Sequence, residues 1–134
     1  MKHRLLLVED NEMNLSVLQD WLESEGFEIS TARTIAGAQD SIRSAPPALV
    51  LLDVRLGTED GLDLVRWIRA EPGIGQTPVL AVTAHAMHHE RERILQQGCN
   101  SFISKPIDFR QLRQHVDLWL KAAQAPNESE VALS

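Results

Sequence analysis

The stretch LVLLDVRLG, residues 49–57, decides the fold and raises the first functional question. Four consecutive aliphatic residues are typical of a strand that is buried on both faces, as in a parallel sheet covered by helices on either side. This run leads straight into a carboxylate, Asp53, and the chain turns soon afterwards at Gly57. Because ligands bind outside the carboxyl ends of strands in open parallel sheets, a core strand that ends in a charge predicts a ligand site there.

Short apolar runs of this kind recur along the chain and alternate with segments of helical periodicity. The predicted strands are 4–8, 27–31, 48–53, 78–83 and 100–103, and the predicted helices are 11–25, 34–44, 61–70, 87–97 and 107–122. Five strand–helix units in strict alternation predict an α/β fold, with a parallel sheet and helices on both of its faces.

The predicted helices carry apolar stripes and recognisable stop signals. In the first helix Leu15, Leu18 and Leu22 recur at i, i+3 and i+7, which predicts one face packed on the sheet. Gly26 and Gly98 stand just past the first and fourth helices, where a left-handed residue commonly ends a helix.

The composition is that of one ordinary globular domain. The chain has 134 residues, of which 43% are hydrophobic and 24% are charged. Its apolar runs are shorter than a signal-peptide core or a membrane span. The formal net charge of −6 provides no basic surface for nucleic acid. We therefore expect a cytoplasmic protein that binds neither nucleic acid nor membrane.

The cysteine content and the end of the chain complete this picture. The single cysteine, Cys99, excludes an intramolecular disulfide and fits a reducing compartment, and we expect it to be a small buried side chain. The last stretch, QAPNESEVALS, is short and polar and lacks a packing stripe. We predict one domain over residues 1–122, followed by a disordered tail at 123–134.

Polar residues stand at the carboxyl ends of four predicted strands. Glu9 and Asp10 follow the first strand, Asp53 ends the third, Thr83 ends the fourth and Lys105 follows the fifth. Taken singly, each has an ordinary structural explanation, since Asp often caps helices or forms turns, Lys is usually solvated and Thr is common in strands. Their common position at one edge of the sheet is what predicts a site.

The residue types at this edge indicate a divalent-metal site for phosphate chemistry. Three crowded carboxylates repel one another unless a cation joins them. Hard oxygen ligands suit Mg²⁺, which favours one or two carboxylates together with a phosphate. Lys105 offers a positive charge and Thr83 a hydroxyl to phosphoryl oxygens. A carboxylate nucleophile in these surroundings is equipped to form an aspartyl phosphate.

Four motifs, taken in order and spacing, resemble the receiver domain of two-component response regulators. They are LLLVEDN at 5–11, LVLLDVRL at 49–56 with Gly61 eight residues past the aspartate, VLAVTA at 79–84 and FISKPI at 102–107. The resemblance spans residues 3–122. It implies a single flavodoxin-like, CheY-like (βα)5 domain, with a five-stranded parallel sheet of order 2-1-3-4-5 and helices on both faces.

The resemblance implies a role for each residue at the strand ends. Asp53 would be the phosphoacceptor, and the donor would be a phosphohistidine of a sensor histidine kinase or a histidine phosphotransfer protein. Mg²⁺, with Mn²⁺ as a substitute, would be held by Asp10, Asp53, the backbone carbonyl of Arg55, and Glu9 directly or through water. Thr83 would move to the phosphoryl group.

The resemblance also implies a switch. Lys105 would pair with the phosphoryl group, the Lys105–Pro106 bond would be cis, and Phe102 would turn inward once Thr83 has moved. Phosphorylation adds roughly −1.5 to −2 of charge, which would bias a two-state equilibrium at the face of the fourth helix, fifth strand and fifth helix. The chain has no tyrosine, so this switch would act through apolar burial alone.

These implications define the expected mode of action. We expect a stand-alone, phosphorylation-dependent regulator, a monomer or weak dimer, that switches its contacts with a downstream protein target. It would catalyse only its own phosphorylation and slow dephosphorylation.

The sequence departs from the family pattern beside the phosphoacceptor. Gly57 stands where the family usually has proline, which predicts a more mobile loop there. Arg55 and His85 stand at positions that line the site entrance in the family, as candidate modulators of phosphate lifetime.

The fourth helix carries two further open questions. His85 and His89 have the i, i+4 spacing of a transition-metal pair, but solvated first turns of the helix explain the His-rich stretch more simply. Met87 and Ile94 supply either an apolar contact for a partner or ordinary core packing.

Three alternative functions compete with this interpretation. A Mg²⁺-dependent phosphohydrolase of the haloacid dehalogenase type also uses a strand-end aspartate nucleophile, but it needs a second Asp two residues later, where this chain has Arg55. A flavodoxin-like FMN binder needs a Ser-, Thr- or Gly-rich phosphate loop after the first strand, where this chain is acidic. A degenerate receiver that acts without phosphorylation is the third alternative.

Overall fold

The computed structural model describes residues 2–84 and 87–124, and the regular elements alternate along them as the sequence predicts. The strands are β1 (Arg4–Val8), β2 (Glu28–Ala32), β3 (Leu49–Asp53), β4 (Arg55–Leu56), β5 (Glu59–Asp60), β6 (Val79–Thr83) and β7 (Ser101–Ser104). The helices are α1 (Glu12–Ser24), α2 (Ile35–Ser44), α3 (Leu62–Ala70), α4 (His88–Gln96) and α5 (Phe109–Gln124).

The five long strands form one parallel sheet in the order β2-β1-β3-β6-β7. Numbered among themselves, these strands have the order 2-1-3-4-5, so the predicted flavodoxin-like topology is confirmed. The strand order reverses at β1, which has β2 on one side and β3 on the other. The carboxyl ends of β1 and β3 therefore lie side by side at the topological switch point, where sheets of this class bind ligands.

The central strand β3 is buried along its whole length, and its side chains alternate between two core layers. Val50 and Leu52 pack in the layer that holds the buried side chains of α2, α3 and α4. Leu49 and Leu51 pack in the opposite layer, with those of α1 and α5. Burying a leucine side chain contributes roughly 1.5–3 kcal/mol, and a strand buried on both faces explains why this stretch reads as a continuous aliphatic run.

Local signals set the ends of the helices. Asn11 caps α1 by accepting the Asn14 N–H, and Thr34 caps α2 by accepting the Gly37 N–H. Gly98 has φ 110° two residues after α4 ends, the left-handed conformation that its position predicts. The fifth helix begins two residues later than predicted, because the Asp108 side chain caps it by accepting two backbone N–H groups.

A short antiparallel hairpin of β4 and β5 directly follows Asp53, and the sequence did not predict it. Arg55 pairs with Asp60 and Leu56 with Glu59, and Gly57 opens the two-residue turn with φ 60°. Glycine is favoured there because the first central residue of such a turn can require positive φ, which proline cannot adopt. The loop predicted after Asp53 therefore contains a paired hairpin, and its mobility stays a prediction.

The structure also bears on Cys99, on the end of the chain and on membrane-spanning helices. Cys99 is buried, as expected, and burial raises the pKa of its thiol to about 12. The first two residues of the predicted tail belong to α5, and the rest of it lies outside the described residues. Among the helices of the described residues, none combines the length and the apolar character needed to cross a membrane.

Candidate functional site

The carboxyl edge of the sheet holds polar side chains that are removed from solvent. Among the described residues, the buried polar or charged ones are Glu9, Asp53 and Thr83, which are 4%, 7% and 4% exposed. They follow or end β1, β3 and β6, three neighbouring strands in the sheet. Because buried carboxylates are costly unless they are paired, their concentration at one edge indicates a site that has a purpose beyond folding.

Lys105 brings a positive charge to these carboxylates. Its Nζ lies 2.7 Å from Asp53 Oδ2 and 3.7 Å from Glu9 Oε2. Its backbone N–H donates to the Thr83 carbonyl, and the peptide bond to Pro106 is cis, as the family resemblance implies. Burial disfavours the ammonium, but the hydrogen bond and charge of Asp53 outweigh it and raise the pKa of Lys105 above its ordinary value.

The carboxylate of Asp53 is held at both oxygens. Oδ2 accepts from Lys105, and Oδ1 accepts the Arg55 N–H at 2.9 Å. The second contact comes from the first residue of the hairpin, so β4 helps to orient the carboxylate. A carboxylate oriented in this way presents its oxygens in a defined direction to an incoming electrophile.

The carboxylates of Glu9, Asp10 and Asp53 form a cluster that fits a divalent cation. Each offers one oxygen, and these oxygens all lie within 4.8 Å of one another. Burial, together with the hydrogen bond and charge of Asp53, raises the pKa of Glu9 to about 7, although the Asn11 N–H and Lys105 oppose the shift. The excess negative charge and the hard oxygen donors fit Mg²⁺.

The cluster opens to solvent through a cavity of about 320 Å³. The side chains named so far line it, and Arg55 and Gly57 stand at its hairpin side. The cavity therefore offers the carboxylates, the ammonium and the threonine to one small polar group, of the size and charge of a phosphoryl group with a metal ion.

Residues 5–117 match the family of the response regulator receiver domain. This match covers most of the chain and includes all the strand-end residues described above. The chain belongs to the receiver domain family. It is thus a two-component signalling module and not a classical enzyme.

Curated relatives and solved structures support this membership. The receiver is 39% identical to the polar-differentiation response regulator DivK of Brucella ovis over 107 residues, which cover 80% of the chain and 87% of that protein. It is 31% identical to the receiver domain of the Luxo repressor protein of Vibrio parahaemolyticus, with a TM-score of 0.84, over 97% of the chain and 98% of the other.

A further solved relative bears on the metal. The receiver domain of the sensor histidine kinase PA1611 of Pseudomonas aeruginosa is 31% identical to this receiver, with a TM-score of 0.83, over 90% of the chain and 99% of the other. In that protein a magnesium ion is coordinated in the active-site cleft.

The residues predicted on the output side of the receiver lie apart from the cavity. Phe102, on β7, is partly buried against the core layer that contains Ile94. The guanidinium carbon of Arg91 on α4 lies 5.5 Å from the centre of its ring. Ile94 is fully buried, so it is a core residue, whereas Met87 is 64% exposed. The predicted entrance residue His85 lies outside the described residues, so the spacing of His85 and His89 as a metal pair stays untested.

Arg33 also lies beside the site, although the sequence motifs do not predict it. Its guanidinium donates to the Asp10 carbonyl from Nη2 at 3.0 Å and from Nε at 3.3 Å. The signal that could have found it is its place two residues after the predicted second strand, at the same edge of the sheet as the other polar residues.

Proposed function

We propose that this receiver accepts a phosphoryl group on Asp53 from a phosphohistidine of a sensor histidine kinase or a histidine phosphotransfer protein. The observation that carries the proposal is the contact between Lys105 and Asp53 inside a cluster of three carboxylates. This arrangement joins a nucleophile, a cation for phosphoryl oxygens and a metal-binding set in one cavity.

Mg²⁺ is the proposed cofactor, with Mn²⁺ as a substitute. Glu9, Asp10, Asp53 and the backbone carbonyl of Arg55 would hold it, with Glu9 acting directly or through water. When bound, the ion would supply positive charge that offsets the repulsion between the carboxylate and the negatively charged phosphoryl group.

In the proposed step, an oxygen of Asp53 attacks the phosphorus of the phosphohistidine. An O–P bond forms, the P–N bond breaks, and the imidazole nitrogen keeps the electron pair. Lys105 then exchanges its contact with Asp53 Oδ2 for phosphoryl oxygens, and the Thr83 hydroxyl donates to another.

The signal leaves through the face formed by α4, β7 and α5. Thr83 is the last residue of β6 and leads towards α4, so its movement towards a phosphoryl group displaces the start of that helix. Phe102 on the neighbouring β7 responds by packing further inward, which changes the surface available to a downstream protein. Because the aromatic residue is Phe, the change is one of apolar burial.

The phosphodonor would approach along α1. A mostly apolar groove of about 240 Å³ lies between α1 and the start of α5, and it shares Glu9 and Lys105 with the site. The exposed side chains of Met13 and Val17 lie on α1. A donor protein must place its phosphohistidine in the cavity, so an apolar face of that protein would bind in the adjoining groove.

The phosphohydrolase alternative lacks a proton donor. The position two residues after Asp53 carries Arg55, whose side chain is exposed and cannot act as a carboxylic acid. The acidic residues after β1 likewise do not suit the phosphate of FMN. The degenerate-receiver alternative is the one that the following experiment addresses directly.

The test is intact-mass spectrometry after incubation with acetyl phosphate and Mg²⁺. We expect a single phosphoryl adduct on the wild-type chain that hydroxylamine removes, because acyl phosphates react with this nucleophile. Asp53→Asn should carry no adduct, and EDTA should prevent labelling of the wild type. Asp20→Asn, an exposed aspartate on α1, is the matched control and should be labelled normally.

The contradicting outcomes are distinct. A full adduct on Asp53→Asn would move the phosphorylation site elsewhere. Intact acetyl phosphate with no adduct on the wild type would favour a degenerate receiver, and rapid release of inorganic phosphate without an adduct would favour a hydrolase.

A further inference from the structure

Arg33 holds the backbone of the acidic loop from outside the carboxylate cluster. Two of its donors, Nη2 and Nε, point at the same acceptor, the carbonyl oxygen of Asp10, at 3.0 and 3.3 Å. The contact joins residues 23 apart in sequence. It acts on the backbone of Asp10, so the carboxylate of that residue stays available to a ligand.

The backbone on either side of Arg33 is fixed by hydrogen bonds. Ala32, directly before it, is buried at the end of β2, and its carbonyl accepts the Glu9 N–H at 3.0 Å. Thr34, directly after it, caps α2. Arg33 therefore stands between a strand end and a helix cap, two positions whose backbone is fixed by hydrogen bonds.

Asp10 is the member of the cluster that most needs such support. Glu9 is tied to β2 through its N–H, and Asp53 belongs to the central strand. Asp10 lies in a bend between β1 and α1 and is partly exposed. The peptide group that follows Asp10 is held at its N–H by Glu9 Oε1, 3.0 Å away, and at its carbonyl by Arg33. The Arg33 contact further restricts rotation of this group, and thereby the direction in which the Asp10 side chain points.

We propose that Arg33 is a positioning residue that fits this site to Mg²⁺ in preference to Ca²⁺. The inference rests on the proposed metal site and adds to it a determinant of metal specificity. Mg²⁺ demands near-ideal octahedral geometry at short distances, whereas Ca²⁺ accepts six to eight ligands in flexible arrangements. A loosened Asp10 therefore weakens the binding of Mg²⁺ more than that of Ca²⁺.

The positive charge of Arg33 has a separate effect on metal affinity. This effect is reduced when the affinity for Mg²⁺ is divided by the affinity for Ca²⁺. A guanidinium near the cluster repels any divalent cation and lowers the affinity for Mg²⁺ and Ca²⁺ alike. Positioning acts on the geometry and changes the two affinities unequally. Because both ions carry the same charge, the Mg²⁺-to-Ca²⁺ affinity ratio cancels most of this repulsion, and a changed ratio in Arg33→Lys, which keeps the charge, reports positioning.

The experiment is isothermal titration of the full chain with MgCl2 and with CaCl2, at one ionic strength and at pH 8. Arg33→Lys keeps the charge but loses the two-pronged contact, and Arg33→Ala loses both. Outer partners of metal ligands commonly account for about 10–100-fold in affinity. Because Arg33 is exposed, we expect a smaller fall in the Mg²⁺-to-Ca²⁺ ratio, of about 3–10-fold, in both variants.

Arg4→Lys is the matched control. Arg4 begins β1 at the opposite end of the sheet and pairs with Glu28, so its substitution should leave both affinities unchanged. Circular dichroism of each variant verifies that the fold is kept.

The outcomes separate this inference from the proposed function. A ratio unchanged within twofold in both Arg33 variants, with Mg²⁺ bound normally by the wild type, would overturn the positioning role of Arg33 and leave the metal site standing. A wild-type chain that binds neither cation, yet carries a phosphoryl adduct on Asp53, would overturn the metal site and this inference with it.

Discussion

Glu9 carries the largest electrostatic cost among the carboxylates at the carboxyl edge. It is 4% exposed, and burial together with the neighbouring Asp53 raises its pKa to about 7. The folded chain therefore holds a proton on Glu9 between about pH 4.5 and 7, where the unfolded chain has released it. The native state binds more protons in this window, so the contribution of Glu9 to stability falls as the pH rises through it.

Glu9→Gln should remove this pH dependence. In the absence of divalent cations, we expect the variant to be more stable than the wild type at pH 8 by about 1–3 kcal/mol, since each pKa unit corresponds to 1.36 kcal/mol, and to differ little at pH 4. Urea unfolding followed by tryptophan fluorescence at both pH values measures the difference. Equal slopes of stability against pH in the two proteins would contradict the raised pKa.

At the scale of elements, two sets of side-chain contacts among the described residues join the helices to the strands near the site. Asp60, at the end of the hairpin, accepts the Leu62 N–H at the start of α3 and forms an ion pair with Arg93 on α4. The hairpin thus ties the end of β3 to two helices.

The other connection is Arg69, in the last turn of α3, which donates five hydrogen bonds to residues around β6 and β7. Its acceptors are the carbonyls of Gly75, Thr77 and Gly98 and the side chain of Asn100.

Arg69→Met should destabilise the fold, because it leaves part-buried carbonyl groups without their donor. We expect a loss of about 1–3 kcal/mol in the free energy of unfolding. Arg66→Met, three residues earlier on the same helix, is the control. Arg66 is exposed and pairs with Asp63 and Gln97, so its loss should cost less than about 1 kcal/mol. Equal losses in the two variants, measured by urea unfolding, would refute a special role for Arg69.

Under the proposed function, the whole molecule would present two surfaces to proteins at different places on one small domain. The groove beside α1 adjoins the cavity and would receive the phosphodonor, whereas the face of α4, β7 and α5 would carry the output. If Asp53 is the phosphoacceptor, a small phosphodonor such as acetyl phosphate would reach it without using either surface. We therefore expect small-molecule and protein donors to respond differently to a change on α1.

Val17→Glu should separate the two donors. Val17 is 52% exposed and lines the groove. A carboxylate at this position would lose its hydration against an apolar partner surface, which weakens the binding of that partner. With a histidine kinase that phosphorylates the wild-type chain, we expect phosphotransfer to slow by about tenfold or more, in line with a substitution that costs more than 1 kcal/mol at an interface. Labelling by acetyl phosphate should be unchanged.

Leu118→Glu on α5 is the control, since Leu118 is 59% exposed and does not line the groove. Equal slowing of phosphotransfer in both variants would show a general effect of added charge. Slower labelling of Val17→Glu by acetyl phosphate would show damage to the site itself.

The sequence by itself determined the strand–helix alternation, the burial of β3 and the edge of the sheet at which Glu9, Asp53, Thr83 and Lys105 gather. These features follow from local periodicity and from residues that come next to strand ends, which any reading along the chain can see. The family resemblance added the strand order and the cis bond at Pro106.

Only the tertiary structure decided what each of these side chains touches. The sequence did not predict the hairpin of β4 and β5, because two-residue strands are too short to show the alternating hydrophobic pattern of a strand. The contact of Arg33 with Asp10 and that of Arg93 with Asp60 escaped it because their partners lie 23 and 33 residues apart. The raised pKa of Glu9 and the burial of Ile94, as against the exposure of Met87, depend on how helices and strands pack in space. Periodicity along a chain reports which face of an element is apolar, but contacts between distant residues arise only when the sheet brings strand ends and helix ends together.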